Sequence, residues 1–107
     1  MNGTRAGMAI RDVKITVVKK VSNPEVFRRY ANRGAQPSCE TVEVGMEFVS
    51  QGMAMPPSFC SWAWADIQRD VAHLALGGDF PWMKQRGTMI TCCTDGLRPV
   101  IFKLERI

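Results

Sequence analysis

Val13, Ile15 and Val17 alternate with Lys14, Thr16 and Val18. This period of two marks a strand with one covered face and predicts one over residues 12–21. Asn23-Pro24-Glu25 then combines an N-cap residue, a proline suited to the first helical position and an acid in the first turn. A short helix should follow, with Val26, Phe27 and Tyr30 on one face and Gly34 as its stop. Residues 35–41 read as a loop holding Cys39. Residues 42–50 contain a second strand, with Gly45-Met46 as a turn or bulge inside it. The loop 51–58, QGMAMPPS, is broken by two prolines.

Ser61 is placed to cap the next helix. Trp64, Ile67, Val71 and Leu74 follow in steps of three and four, which gives one buried stripe. Gly77-Gly78 stops that helix. Phe80-Pro81-Trp82 is expected as an extended segment packing back on the body. A third strand over residues 88–93, a turn at Asp95-Gly96 and a fourth strand over residues 99–107 complete the chain. The order β-α-β-α-β-β predicts an α+β domain. It would be a small, mostly antiparallel sheet of about four strands with the Trp-rich helix packed on one face. Residues 1–10 read as a flexible tail and 11–107 as the single domain. The last strand is expected to leave an open edge, which suits a homo-oligomer.

Composition narrows the class. No apolar stretch approaches the roughly 20 residues that cross a bilayer, and MNGTRAGMAIRD lacks the apolar core of a signal peptide. A cytoplasmic protein with reduced thiols is expected. The net charge is +4, but residues 1–33 hold eight basic and two acidic side chains while the rest is net acidic. Nucleic-acid binding is disfavoured, because the basic residues are not interleaved with aromatics as on a stacking platform. A solvated basic face is the simpler reading.

The chemistry concentrates between Phe59 and Met83, FCSWAWADIQRDVAHLALGGDFPWM. This run holds all three tryptophans, the single histidine and three of the ten acids. Trp62, Trp64 and Trp82 suggest the walls of a ligand site. Cys39, Cys60, Cys92 and Cys93 are candidate ligands of a thiolate-bound metal ion, although no Cys-x-x-Cys pair is present. Adjacent strand residues face opposite ways, so at most one of Cys92 and Cys93 can join the same site. The alternative is that all four are small buried hydrophobes. Cys60 precedes a helix start, where the dipole favours a thiolate. Asp66, Asp70 and His73 fall at i, i+4 and i+7, a polar stripe suited to acid–base work or simply the wet side of the helix. Gly77–Trp82 lacks the lysine and the strand-before-helix order of a phosphate loop. Arg98, after the Asp95-Gly96 turn, is placed either to bind a carboxylate or phosphate or to pair with Asp95.

CSWAWADI, GGDFPWM and TCCTDGLRPVIFKLERI together resemble a family of small bacterial and archaeal proteins of about this length. The likeness runs from about Arg11 to Ile107 and is loosest over residues 31–41. It implies weight on all four cysteines, on Trp62, Trp64, Asp66 and Asp70, and on the GG-F-PW turn. His73 lies outside the family's pattern. Some relatives carry the unit in tandem, which would suit self-association. The resemblance brings no settled activity.

Three functions follow as expectations. The first is a cytoplasmic domain that binds a metal or small ligand in a Cys/Trp-lined site. The second is a thiol-dependent enzyme using Cys60 with Asp66 and Asp70. The third is an interaction subunit that docks through its basic N-terminal third or through Met53 and Met55.

Overall fold

A computed structural model describes residues 9–107. The expected tail over residues 1–10 lies mostly outside the described residues. The elements are β1 (Val13–Lys20), α1 (Pro24–Tyr30), β2 (Glu47–Ser50), α2 (Ser61–Ala75), β3 (Thr88–Cys92) and β4 (Val100–Arg106). They build the α+β domain that the pattern predicts, with a four-stranded antiparallel sheet in the order β2-β1-β4-β3.

The alternation along β1 and β4 makes the sheet two-faced. Val13, Ile15, Val17, Val100, Phe102 and Leu104 point to one side and are buried. The cross-strand pairs Ile15–Leu104 and Val17–Phe102 set these side chains edge to edge. α2 covers that side with Ala63, Ile67, Val71, Leu74 and Ala75. Fully burying an apolar side chain of this size stabilises by about 2 kcal/mol, so this layer dominates the fold. Phe59 joins it from the loop before α2, edge-on to Phe48 at 5.0 Å and to Trp64 at 6.2 Å between ring centroids. On the opposite face Lys14 lies between Glu47 at 3.8 Å and Glu105 at 3.7 Å. Such half-exposed pairs contribute little each.

Several boundaries differ from expectation. β4 is not an edge strand: it lies between β1 and β3, and among the described residues the edge strands are β2 and β3. Order along the chain does not fix order in the sheet. The second strand begins only at Glu47, because Gly45, at a φ of 95°, turns the chain before it. α1 ends at Tyr30, before Gly34, and buries none of its residues. Asn23 occupies its N-cap position, but the side chain donates to the Gly96 carbonyl instead of capping. The α2 cap shifts likewise: Cys60 is the N-cap residue and Ser61 begins the helix. Phe80-Pro81-Trp82 is a turn rather than an extended segment, closed by the Met83 N–H on the Phe80 carbonyl at 3.1 Å. Met53 packs against the core instead of standing free, while Met55 is exposed.

The stop of α2 follows its glycines. The Gly77 N–H reaches the Leu74 carbonyl at 3.0 Å and the Gly78 N–H reaches the His73 carbonyl at 2.8 Å. Those two bonds form a Schellman motif, and Gly77 supplies its left-handed residue at a φ of 94°.

Candidate functional site

α2 sets most of the candidate side chains, and its 100° turn per residue disperses them. Cys60 and Asp66 are six residues apart, about 9 Å along the axis and on different faces. Asp70 lies about 6 Å further on. Asp66, Asp70 and His73 do not form one wet stripe. Asp70 is only 4% exposed because it lies beside the Ile67–Leu74 seam, with the exposed Arg69 Nε at 3.5 Å from its carboxylate. His73 turns its Nε2 to the Asp79 carbonyl at 3.0 Å and packs its ring on Phe80 at 4.6 Å. The sequence places three groups together that the packing separates.

The cysteines separate too. All four are free. Cys92 is exposed and Cys93 buried, as adjacent residues on a strand should be. Cys93 Sγ accepts the Val100 N–H at 3.3 Å. Cys39 Sγ lies 3.0 Å from the Thr41 hydroxyl, and both Cys39 and Cys60 pack against the core. The expected site, Cys39 and Cys60 with one of Cys92 and Cys93, is not assembled: among the described residues, no three His, Cys, Asp or Glu side chains are grouped to hold a metal ion. The reason is positional, since Cys92 faces outward from the sheet and Cys93 lies inside the core.

The tryptophans occupy two ends of α2. Trp64 is half-buried against Phe59. Trp62, in the first turn, is 67% exposed. Trp82 lies beyond the last turn, with its ring 5.3 Å from Phe80, and is similarly exposed. The three rings therefore do not wall one pocket.

One concave feature does gather chemistry. An open groove of about 440 Å³ at the start of α2 is lined by Ser61, Trp62, Ala65, Asp66 and Thr94. Asp66 is fixed at its rim by the Thr94 N–H, 2.8 Å from Oδ2, and by the Thr94 hydroxyl at 3.0 Å. Thr94 is a site residue that sequence reasoning missed. Only the return of the chain after β3 to the first turns of α2 brings it there. A second hollow, of about 330 Å³ beside α1, is lined by Asn23, Pro24, Glu25, Val26 and Arg28. Its walls are the N-cap and first residues of α1, and among the described residues no second element lines it.

Arg98 takes the pairing alternative. Its Nε donates to Asp95 Oδ2 at 3.1 Å and its Nη1 to the Gln36 carbonyl at 3.1 Å. Burial works against ionisation of Asp95. The Arg98 guanidinium and the N–H groups of Leu97 and Arg98 outweigh it and hold the carboxyl below its ordinary value. These two bonds take up the Nε–H and one Nη1–H of the guanidinium within the chain.

Bonded as heavily as Asp95 is Asp79, which sequence reasoning left without a role. Its Oδ1 accepts the Gly87 N–H at 2.7 Å and Arg106 Nη2 at 3.0 Å, and its Oδ2 accepts Arg86 Nε at 3.1 Å. The Gly87 N–H first, then the Arg106 guanidinium, bring its carboxyl down to about 2. Each donor comes from the chain itself, so this cluster clamps structure.

The chain matches no family model, no curated protein and no solved structure. Among the described residues, no helix is long and apolar enough to cross a membrane.

Proposed function

We propose that this chain is a small binding domain whose site is the groove between Trp62 and Asp66. The observation that carries this reading is Trp62 itself. An indole 67% exposed at the mouth of a groove leaves a large apolar ring in water. Beside it stands a carboxylate that the Thr94 N–H and hydroxyl have already positioned. A carboxylate offers about four acceptor positions, and two donors from Thr94 leave some of them open. A ring wall with one oriented acceptor fits a flat, partly apolar molecule that carries an N–H donor. The resemblance to the small bacterial and archaeal family supports the choice of segment, since Trp62 and Asp66 both lie in CSWAWADI. Four free cysteines suit a reducing compartment, and a cytoplasmic setting is part of this reading.

The test is titration of isotope-labelled protein with ring fragments that differ in their donors: indole, benzamidine and 2-aminopyridine, with toluene as the ring lacking one. The reading expects shifts at the Trp62 indole N–H and the Thr94 amide with the three donor-bearing rings. Trp62→Ala should abolish the shift at the Thr94 amide. If no fragment moves either signal, or toluene moves them as strongly, the groove is not this site.

A further inference from the structure

The two free edges of the sheet are unlike. β2 is four residues long, carries Glu47 and is preceded by the Gly45 turn. These are the features that discourage pairing with another strand. β3, Thr-Met-Ile-Thr-Cys, has no charge, no proline and no glycine. Its hydrogen-bond polarity can be read from its ends. The Cys93 N–H donates to the Val100 carbonyl and the Arg106 N–H to the Gly87 carbonyl. An antiparallel ladder alternates bonded and non-bonded pairs. In the observed register, Gly87, Met89, Thr91 and Cys93 therefore turn their backbone groups to β4. Thr88, Ile90 and Cys92 turn theirs to the open edge. Thr88 is closed off, being 4% exposed with its hydroxyl on the Gln85 carbonyl. Ile90 and Cys92 are exposed, and among the described residues no backbone group bonds to theirs from outside the sheet.

We infer that β3 pairs antiparallel with β3 of a second copy, joining two sheets into one of eight strands. The register follows from which groups are free. Ile90 faces Cys92 of the second copy, Cys92 faces its Ile90, and Thr91 meets Thr91 across the two-fold axis. Each Ile90–Cys92 pair exchanges two N–H···O bonds. On the open face of the sheet Ile90 packs against a cysteine, and on the α2 side threonine meets threonine, both favourable cross-strand pairs. A second copy suits this edge because β3 is uncharged and complements itself: the same two outward-turned residues, Ile90 and Cys92, meet in both pairs. The flanking Arg86 and Asp95 are already paired within the chain, with Asp79 and Arg98, so neither leaves an unmatched charge beside the edge. Isologous contact of this kind closes as a dimer.

Sedimentation of the full chain under reducing conditions, from micromolar to near-millimolar concentration, should show a monomer–dimer equilibrium. Ile90→Pro removes an N–H that points away from β4, so the β3–β4 ladder survives while two of the four intermolecular bonds are lost. Dimer affinity should fall by roughly tenfold or more, with the circular dichroism spectrum unchanged. Thr91→Cys places two thiols at a non-bonded antiparallel pair, where Cα atoms lie about 4.5 Å apart, within disulfide reach. Mild oxidation should link that variant as a dimer much faster than the parent chain. A protein that stays monomeric at every concentration overturns the inference. So does a dimer that Ile90→Pro leaves intact, or one in which Thr91→Cys links no faster than the parent.

Discussion

Asp79 and Arg106 are 27 residues apart in sequence and joined by a bond of 3.0 Å between Oδ1 and Nη2. That contact closes the C-terminal end of the helix–sheet layer. Arg106, from the last strand, also sends Nη1 to the carbonyls of Leu74, at 3.1 Å, and Gly78, at 2.6 Å. These oxygens belong to the end of α2, where carbonyls lack intrahelical partners and a cation is favoured. Asp79 meanwhile ties the chain entering β3 through the Gly87 N–H. One ion pair thus joins the stop of the helix, the start of one strand and the end of another.

The pair makes stability depend on acid. The Asp79 carboxyl lies near 2 in the folded protein against 3.8 ordinarily, lowered first by the Gly87 N–H and then by Arg106. A lowered value means that the unfolded chain binds the proton more readily. The contribution is complete above about 3.8 and is lost as pH falls towards 2. Thermal unfolding followed between those limits should therefore show a steeper loss for the parent chain than for Asp79→Asn. Equal slopes would mean that other carboxylates, such as Asp95, carry the acid sensitivity.

Removing the arginine should cost more than removing one surface charge. Arg106→Ala strands the Leu74 and Gly78 carbonyls as well as Asp79, and hydrogen bonds to a charged group contribute about 1.5–3 kcal/mol. A loss of about 2–3 kcal/mol in urea unfolding is expected. Arg106→Lys should recover only part of it, because a single ammonium cannot reproduce the fork. Full recovery by lysine would show that charge alone matters here.

This clamp marks a limit of what was legible in the sequence. The alternation in β1 and β4 and the three-and-four spacing in α2 are local signals, and they foretell the strands, the helix and the buried face. Asp79 and Arg106 carry no local sign of each other. Asp70 shows a subtler limit. It falls about 40° beyond Leu74 on the helical wheel, at the border of the apolar stripe, where the wheel alone does not decide between core and solvent. Thr94 and the central position of β4 depend on sheet order, which periodicity does not encode. The cysteines could be assigned opposite faces at 92 and 93 but not placed relative to Cys39 and Cys60.

Gly78 is required for a steric reason. A Cβ built there would collide with the imidazole of His73, whose ring is held between Phe80 and the Asp79 carbonyl. Gly78→Ala should destabilise by about 1–3 kcal/mol, the usual range for overpacking. In His73→Ala the obstacle is gone, so adding Gly78→Ala there should cost much less. A double-mutant cycle measures the difference, and simple additivity would place the strain elsewhere.

Trp62 and Asp66 separate binding from stability. Trp62→Ala removes a ring that is two-thirds exposed, so unfolding free energy should change by no more than about 0.5 kcal/mol. Asp66→Ala also releases the Thr94 N–H and hydroxyl, and about 1 kcal/mol should be lost. Both variants should lose the response to benzamidine. A large destabilisation by Trp62→Ala would mean that the indole serves packing rather than a site.

The four thiols should react in an order set by exposure. Cys92 is exposed on the outer face of β3, Cys39 and Cys60 are half-buried against the core, and Cys93 is buried with its sulfur on the Val100 N–H. Alkylation of the native protein at neutral pH, read by peptide mass spectrometry, should label Cys92 first. Cys93 should react only as the protein unfolds, because the β4 pairing must open to expose it. Reaction of Cys60 ahead of Cys92 would break this order. Exposure favours Cys92, so such a result would require activation of Cys60 at the helix start. It would put the thiol-enzyme reading ahead of the binding one, with the N-cap position of α2 as its physical basis.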